Sequence, residues 1–325
     1  MSHLHETLAA ADLLDEAIRG SRRALADLLS AVERGGVAGR DTASIARARA
    51  RGGYTIGLTG APGAGKSTLT DGLIAQARLG GDKIAVLAVD PSSPVTGGAI
   101  LGDRVRLADG HSRDDGVFVR SLANRGQLGG LARAVPDAIC LLEASGWPWI
   151  VLETVGVGQA EIDVVEQADT IVVVLTPGWG DEIQANKAGL LEVADILVVN
   201  KSDRPGALGA VKDLKAMLRL SQERPWIPPI VSTRAVERRG LEELWIAVKA
   251  HRSHLNASGD LGARRSARRV AELRQCVADG LARATTVAER SQVGKELVAA
   301  VASGSADPVV AALELLEHVH ATSWT

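Results

Sequence analysis

The residues best suited to chemistry in this chain are Gly60, Ala61, Pro62, Gly63, Ala64, Gly65, Lys66 and Ser67, followed by Thr68. They satisfy the pattern G-x-x-x-x-G-K-[ST] at every fixed position. Glycines let successive backbone N–H groups converge on one phosphate, and a helix N-terminus adds its partial positive charge. Lys66 supplies a cation for β- and γ-phosphates, and the Ser67 hydroxyl suits Mg²⁺. The surroundings agree with this use. Residues 54–59 read as a short apolar strand and residues 67–79 as a helix.

A second group, Asn200, Lys201, Ser202 and Asp203, directly follows the apolar run 196–199. It fits the N-K-x-D guanine signature. The Asp203 carboxylate can accept from guanine N1–H and from the exocyclic amine. Adenine offers no such donor pair, and a site built on polar groups of this kind rejects the wrong partner by roughly 10⁴. The expected nucleotide is therefore GTP. Ser232, Thr233 and Arg234 follow a later apolar run and are candidates to place a backbone N–H at guanine O6. The alternative there is the plain start of a loop.

A third group carries metal and hydrolysis chemistry. Asp90 ends the run 83–89, Glu153 ends the run 149–152, and Asp103 lies in the glycine-rich stretch 97–104. Carboxylates at strand ends around one phosphate site suit Mg²⁺, a hard cation that takes oxygen ligands and waters. The expected metal set is Ser67, Asp90, Asp103 and Glu153, with Lys66, Asp90 and Glu153 carrying catalysis. Gly156 would admit a backbone N–H to the γ-phosphate. Arg104, Arg106 and Arg120 are candidates to stabilise charge on the transferring phosphoryl group, or else surface and ion-pair arginines. Gln159 could orient water or simply begin a helix.

These residues need a scaffold that brings strand ends together. Apolar runs at 54–59, 83–89, 116–120, 149–153, 170–176, 196–200 and 227–232 alternate with amphipathic stretches. Continuous apolar strands separated by helices predict an α/β fold, a mostly parallel sheet with helices on both faces. Its ligand then lies at the carboxyl ends of the strands. Before the sheet, Leu13, Leu14, Ile18, Leu25, Leu28 and Leu29 form a helical apolar stripe. The expected organisation is an N-terminal helical extension over 1–50, a phosphate-loop nucleotide domain over 51–252, and a C-terminal helical arm over 253–325. The sheet domain is expected to end near Ala250, with 251–262 as a linker and 263–319 wholly helical.

Composition narrows the function classes. The chain has 325 residues, 46% of them hydrophobic, enough for a sizeable core. A net charge of −2, from 37 basic and 39 acidic residues, is not that of a polycation. One Tyr, one Phe and six Trp supply few stacking platforms, so no nucleic-acid partner is expected. Cys140 and Cys276 match no metal or disulfide spacing. No apolar run reaches the length of a membrane span and no signal-type segment opens the chain. A cytoplasmic protein without a membrane partner is the expectation.

Several stretches together resemble the MeaB/ArgK GTPases: Asp90 to Ser93, Gly97 to Arg104, Arg120 to Gly126, Glu153 to Gln159, and Pro177 to Asp181 continuing to Lys187, Ala188 and Gly189. The likeness is close over about residues 50–250 and holds in kind over the helical flanks. It implies a GTP-hydrolysing chaperone of adenosylcobalamin-dependent acyl-CoA mutases, above all methylmalonyl-CoA mutase. Such a protein gates cofactor loading and guards the mutase; adenosylcobalamin belongs to that partner. The resemblance also implies Mg²⁺ and a homodimer built partly through the C-terminal arm. By motif match it gives Lys66 and Ser67 to phosphate and Mg²⁺, Asp90, Asp103 and Glu153 to the metal and water side, and Asp203 to guanine. Residues 177–187 correspond to a partner-sensing switch. Trp179 departs from the small residue usual there. It is either a partner-contact anchor or a side chain packed on the adjacent helix. Arg264, Arg265, Arg268 and Arg269 form two i,i+4 pairs, a solvated face or a partner- or CoA-facing patch.

Other functions leave other marks. A nickel metallochaperone GTPase needs a His- or Cys-rich store, and only His3 and His5 form a close pair near the N-terminus. A small-molecule or protein kinase needs an acceptor site and an adenine pocket, against which Asn200–Asp203 argues. A scaffold with a dead nucleotide site would not need Lys66, Ser67, Asp90 and Glu153 together.

Overall fold

The computed structural model describes residues 2–90, 111, 113–123, 130–154, 166–178, 192–220 and 225–323. Asp103, Gly156, Arg104, Arg106, Gln159 and Trp179 lie outside the described residues, as does most of the stretch 177–187. In chain order the elements begin with helices α1 (Ser2–Ile18), α2 (Arg22–Arg34) and α3 (Gly36–Arg49). There follow β1 (Tyr54–Gly60), α4 (Lys66–Leu79), β2 (Ile84–Asp90), β3 (Val117–Ala123), α5 (Gly130–Ala144), β4 (Trp149–Thr154), β5 (Thr170–Leu175) and β6 (Ile196–Val199). Then come α6 (Ala207–Leu220), β7 (Ile230–Ser232), α7 (Leu241–Ser258), α8 (Asp260–Glu289), α9 (Gln292–Ala302) and α10 (Pro308–Ser323). The chain divides into two compact units, 1–262 and 263–325.

In the first unit the strands form one seven-stranded sheet in the order β3-β2-β4-β1-β5-β6-β7, and every neighbouring pair is parallel. A parallel sheet must be covered on both faces, and alternation along each strand supplies two apolar sides. Ala85, Leu87 and Val89 of β2 pack with Leu14, Leu25, Leu28 and Leu29 of α1 and α2 and with Val135 and Leu142 of α5. Their neighbours Ile84 and Val86 face the other way, onto Leu69 and Leu73 of α4 and Leu244 and Val248 of α7. Three N-terminal helices therefore belong to the sheet's own core. Each fully buried leucine there contributes about 1.5–3 kcal/mol of apolar transfer. Ile18, expected in the buried stripe, ends α1 and is exposed.

The expected linker over 251–262 is helix for most of its length: α7 runs on to Ser258 and is closed by Gly259 in the left-handed region. The reason is tertiary. His251 and Leu255, one turn apart, are both buried. The His251 ring lies between Thr170 Oγ1, 2.8 Å from Nδ1, and Asp195 Oδ1, 3.3 Å from Nε2. Tyr54 Oη lies 2.6 Å from Thr170 Oγ1, and the Trp226 ring stands 4.8 Å from the imidazole. Ser253, Asn256 and Ser258, polar residues of this stretch that read as linker, are on the outer face of α7.

The second unit consists of helices, as expected. α9 begins at an N-cap, Ser291, whose hydroxyl accepts from Gly294 N–H. No helix among the described residues is long and apolar enough to cross a membrane.

Candidate nucleotide site

β1 lies at the centre of the sheet, and the chain after it must turn sharply into α4. Gly60 permits the turn, because at φ +145° a Cβ would stand 2.2 Å from Val174 O in β5. Gly65 caps α4 at φ +95°, where a Cβ would stand 2.3 Å from Asn200 Nδ2. This cap offers no side-chain acceptor to the first turn. The leading N–H groups of a 14-residue helix, which have no intrahelical partner, are thus left for a ligand. Lys66 is buried, and its Nζ donates to Gly60 O at 2.5 Å and Ala61 O at 3.1 Å. The loop curls around its own cation.

Glu153 comes to this loop from β4, the strand paired with β1, in register with Leu58. It is a buried carboxylate, 2% exposed. Ser67 Oγ donates to Glu153 Oε1, and Thr70 Oγ1 donates to Glu153 Oε2 at 2.9 Å. Asp90 ends β2, in register with Ala123 of β3, one residue beyond the Val89–Thr154 pair with β4. Ser67 and Glu153 present oxygen donors only, and no described group of three or more His, Cys, Asp or Glu side chains could hold a metal by itself. That fits Mg²⁺, which is bound through one or two carboxylates together with nucleotide phosphates and waters.

The N-K-x-D stretch follows β6 and grips the same loop. Asn200 is buried, and its Nδ2 donates to Ala64 O at 2.8 Å. Its Oδ1 accepts from Thr233 Oγ1 at 3.0 Å and from Ala235 N at 3.2 Å. Lys201, in the left-handed region at φ 55°, extends Nζ to Gly63 O at 2.6 Å. A positive φ at a lysine is a strain that surrounding contacts must hold, and such strain gathers at functional sites. Asp203 is exposed at the end of this turn.

Thr233 and Arg234 sit otherwise than expected. Thr233 N–H donates to Val199 O at 2.9 Å and Arg234 N–H to Arg239 O at 3.0 Å, so neither is available to a base carbonyl. Thr233 instead orients Asn200 through its hydroxyl, and its carbonyl accepts from Ser202 N–H at 3.0 Å. Ser232 lies exposed at the end of β7. Arg120, a candidate for phosphoryl charge, points elsewhere: Nη2 lies 2.8 Å from Ser30 Oγ and 3.4 Å from Glu33 Oε2, both on α2. It fastens the N-terminal helices to β3. Sequence reasoning missed Thr70. Its signal was its place three residues after Ser67, on the same helix face.

A central strand, a glycine turn around a lysine, a buried carboxylate on the adjacent strand and a second loop with N-K-x-D are the parts of a P-loop GTPase. The chain belongs to the family described as methylmalonyl-CoA mutase-associated GTPase MeaB, whose model matches residues 25–290. It is a GTP hydrolase. A Pyrococcus abyssi relative described as a GTPase is 43% identical over 312 residues, 95% of this chain and 96% of that protein. The methylmalonic aciduria type A homolog of mouse mitochondria is 38% identical over 219 residues, 65% of this chain and 52% of that protein. The crystal structure of an LAO/AO transport system kinase superposes with a TM-score of 0.72 at 25% identity, covering 96% of this chain and 98% of that one.

Proposed function

We propose that this GTPase is a nucleotide-gated chaperone of an adenosylcobalamin-dependent acyl-CoA mutase, methylmalonyl-CoA mutase being the first candidate. The observation that carries the nucleotide half is the junction of Lys66, Ser67 and Glu153 at the N-terminus of α4. The mutase half rests on the family's description. In this reading residues 60–68 cradle the phosphates, and Lys66 turns from the loop carbonyls to the β- and γ-oxygens. Ser67, Asp90, Asp103 and Glu153 hold Mg²⁺, which when bound neutralises charge on those oxygens. Asp203 takes the guanine edge, with Asn200 and Lys201 holding its loop against the phosphate loop. Water attacks the γ-phosphorus in line, and catalysis comes from positioning and charge stabilisation. The bond from the γ-phosphorus to the bridging oxygen breaks, and the products are GDP and free phosphate.

In this reading the stretches 97–103, 153–159 and 177–187 report nucleotide state to the mutase. The working form in this reading is a homodimer joined partly through the C-terminal unit. The test is GTP turnover by the purified protein with and without methylmalonyl-CoA mutase, together with cobalamin loading of the mutase under GTP and under GDP. Turnover should change when the mutase is added, and loading should depend on which nucleotide is present. If neither responds, the mutase reading fails while the GTPase stands.

A further inference from the structure

The clearest polar arrangement that the roles above leave unused is the second oxygen of Glu153. A buried carboxylate has about four acceptor sites to satisfy, and each unmet one is costly. Oε1 meets Ser67, the residue that the phosphate-loop pattern itself requires. Oε2 meets Thr70 Oγ1 at 2.9 Å, from a side chain that is wholly buried. Nothing in the phosphate-loop pattern calls for a hydroxyl at this position. A threonine in a helix interior commonly turns its hydroxyl back to the carbonyl one turn earlier. Thr70 reaches across to β4 instead.

We propose that Thr70 is a positioning residue for the metal side of the site. By holding Oε2 it fixes the rotation of the Glu153 carboxylate, so that Oε1 stays aimed at Ser67 and at the cation that Ser67 meets. The geometry explains why the restraint is useful. The terminal torsion of a glutamate is broad and roughly two-fold, so a carboxylate held at one oxygen can swing. Ser67 and Thr70 lie three residues apart on one face of α4, and two hydroxyls on a rigid helix grip both oxygens. Partners that orient ligands in this way typically change metal affinity by about 10–100-fold when removed. The inference rests on the reading of Glu153 as a metal-side carboxylate.

The experiment compares wild type, Thr70→Val, Thr70→Ser and Glu153→Gln. It reads the Mg²⁺ concentration at half-maximal GTP turnover, and GDP affinity with Mg²⁺ and with chelator. Thr70→Val keeps the shape and removes the hydroxyl. It should raise the Mg²⁺ midpoint about tenfold or more while leaving GDP affinity in chelator within about twofold of wild type. Thr70→Ser should restore the wild-type midpoint. In the Glu153→Gln background Thr70→Val should add no further shift, since it acts through that carboxylate. A merely structural threonine would lower thermal stability and leave the Mg²⁺ midpoint unmoved, which overturns the inference. Should Thr70→Val not fold, Thr70→Ala and Thr70→Cys read the same midpoint, and an unchanged value in either is equally fatal. If Glu153→Gln itself leaves the Mg²⁺ dependence intact, the metal reading of Glu153 is what fails. If it shifts that dependence and Thr70→Val does not, only the role of Thr70 fails.

Discussion

Asp203 differs from its neighbours Asn200 and Lys201 in being exposed and receiving no hydrogen bond among the described residues. Asn200 and Lys201 donate to Ala64 O and Gly63 O, so their polar groups already serve the phosphate loop. In the proposed reading base selection falls on one carboxylate, whose chemistry can be inverted. An asparagine there would offer one acceptor and one donor, matching a purine with N1–H beside a C2 carbonyl. Asp203→Asn should lower GTP affinity by at least about 100-fold and make xanthosine triphosphate the better substrate. Competition binding with both nucleotides checks this, and an unchanged preference for GTP would exclude Asp203 from the base site. Thr233 shows the converse. A residue placed at the base by its position in sequence does its work one step back, by orienting Asn200.

Between elements, side-chain pairs tie the sheet to its covering helices. On α4, Arg78 Nε donates to Asp114 Oδ2 at 2.9 Å, and the guanidinium lies against Gly116, where a Cβ would stand 2.3 Å from Arg78 Cζ. The Arg78 hydrogen bond, with that from Gly116 N–H, holds the Asp114 carboxyl below its ordinary value of 3.8. A depressed folded pKa gives stability that is fully present above the unfolded pKa and is lost as pH falls through the folded one. Arg78→Met lets the folded value return upward. Its deficit should thus be present at neutral pH and vanish in acid below the folded pKa. Both groups are about a third exposed, so the deficit should stay under about 1 kcal/mol. Urea midpoints at neutral and strongly acid pH decide the matter, and an equal loss at both would assign Arg78's contribution to packing. Also at the amino ends of the strands, His251, Thr170, Tyr54 and Asp195 join α7 to β1, β5 and the start of β6.

The second unit, 263–325, is where the proposed homodimer can be tested. On α8, Val270, Leu273, Val277 and Leu281 recur three and four residues apart, on one face, and are 47%, 64%, 55% and 50% exposed. Val309, Val310, Leu313 and Leu316 of α10 are exposed as well. Apolar faces of this length are the surfaces that the proposed homodimer would cover. Light scattering on the purified chain should give twice the chain mass. Leu273→Glu together with Leu281→Glu should give a monomer that keeps its intrinsic GTPase activity. A monomeric wild type would refute the assembly.

Contiguous signals were legible without coordinates. The phosphate-loop pattern, N-K-x-D and the seven apolar runs each depend on residues adjacent in the chain, where backbone geometry and local periodicity act directly. They determined the α/β class and the GTPase family. What only the tertiary structure decided are pairings between distant residues: Thr70 with Glu153, Asn200 with Ala64 and Thr233, Lys201 with Gly63, Arg120 with Ser30. It also turned the expected linker after Ala250 into the buried turn of α7 around His251. Polar residues look alike in sequence whether they face water or a partner. Strand order and helix placement settle which, because a polar group withdrawn from water must find its hydrogen bonds within the fold.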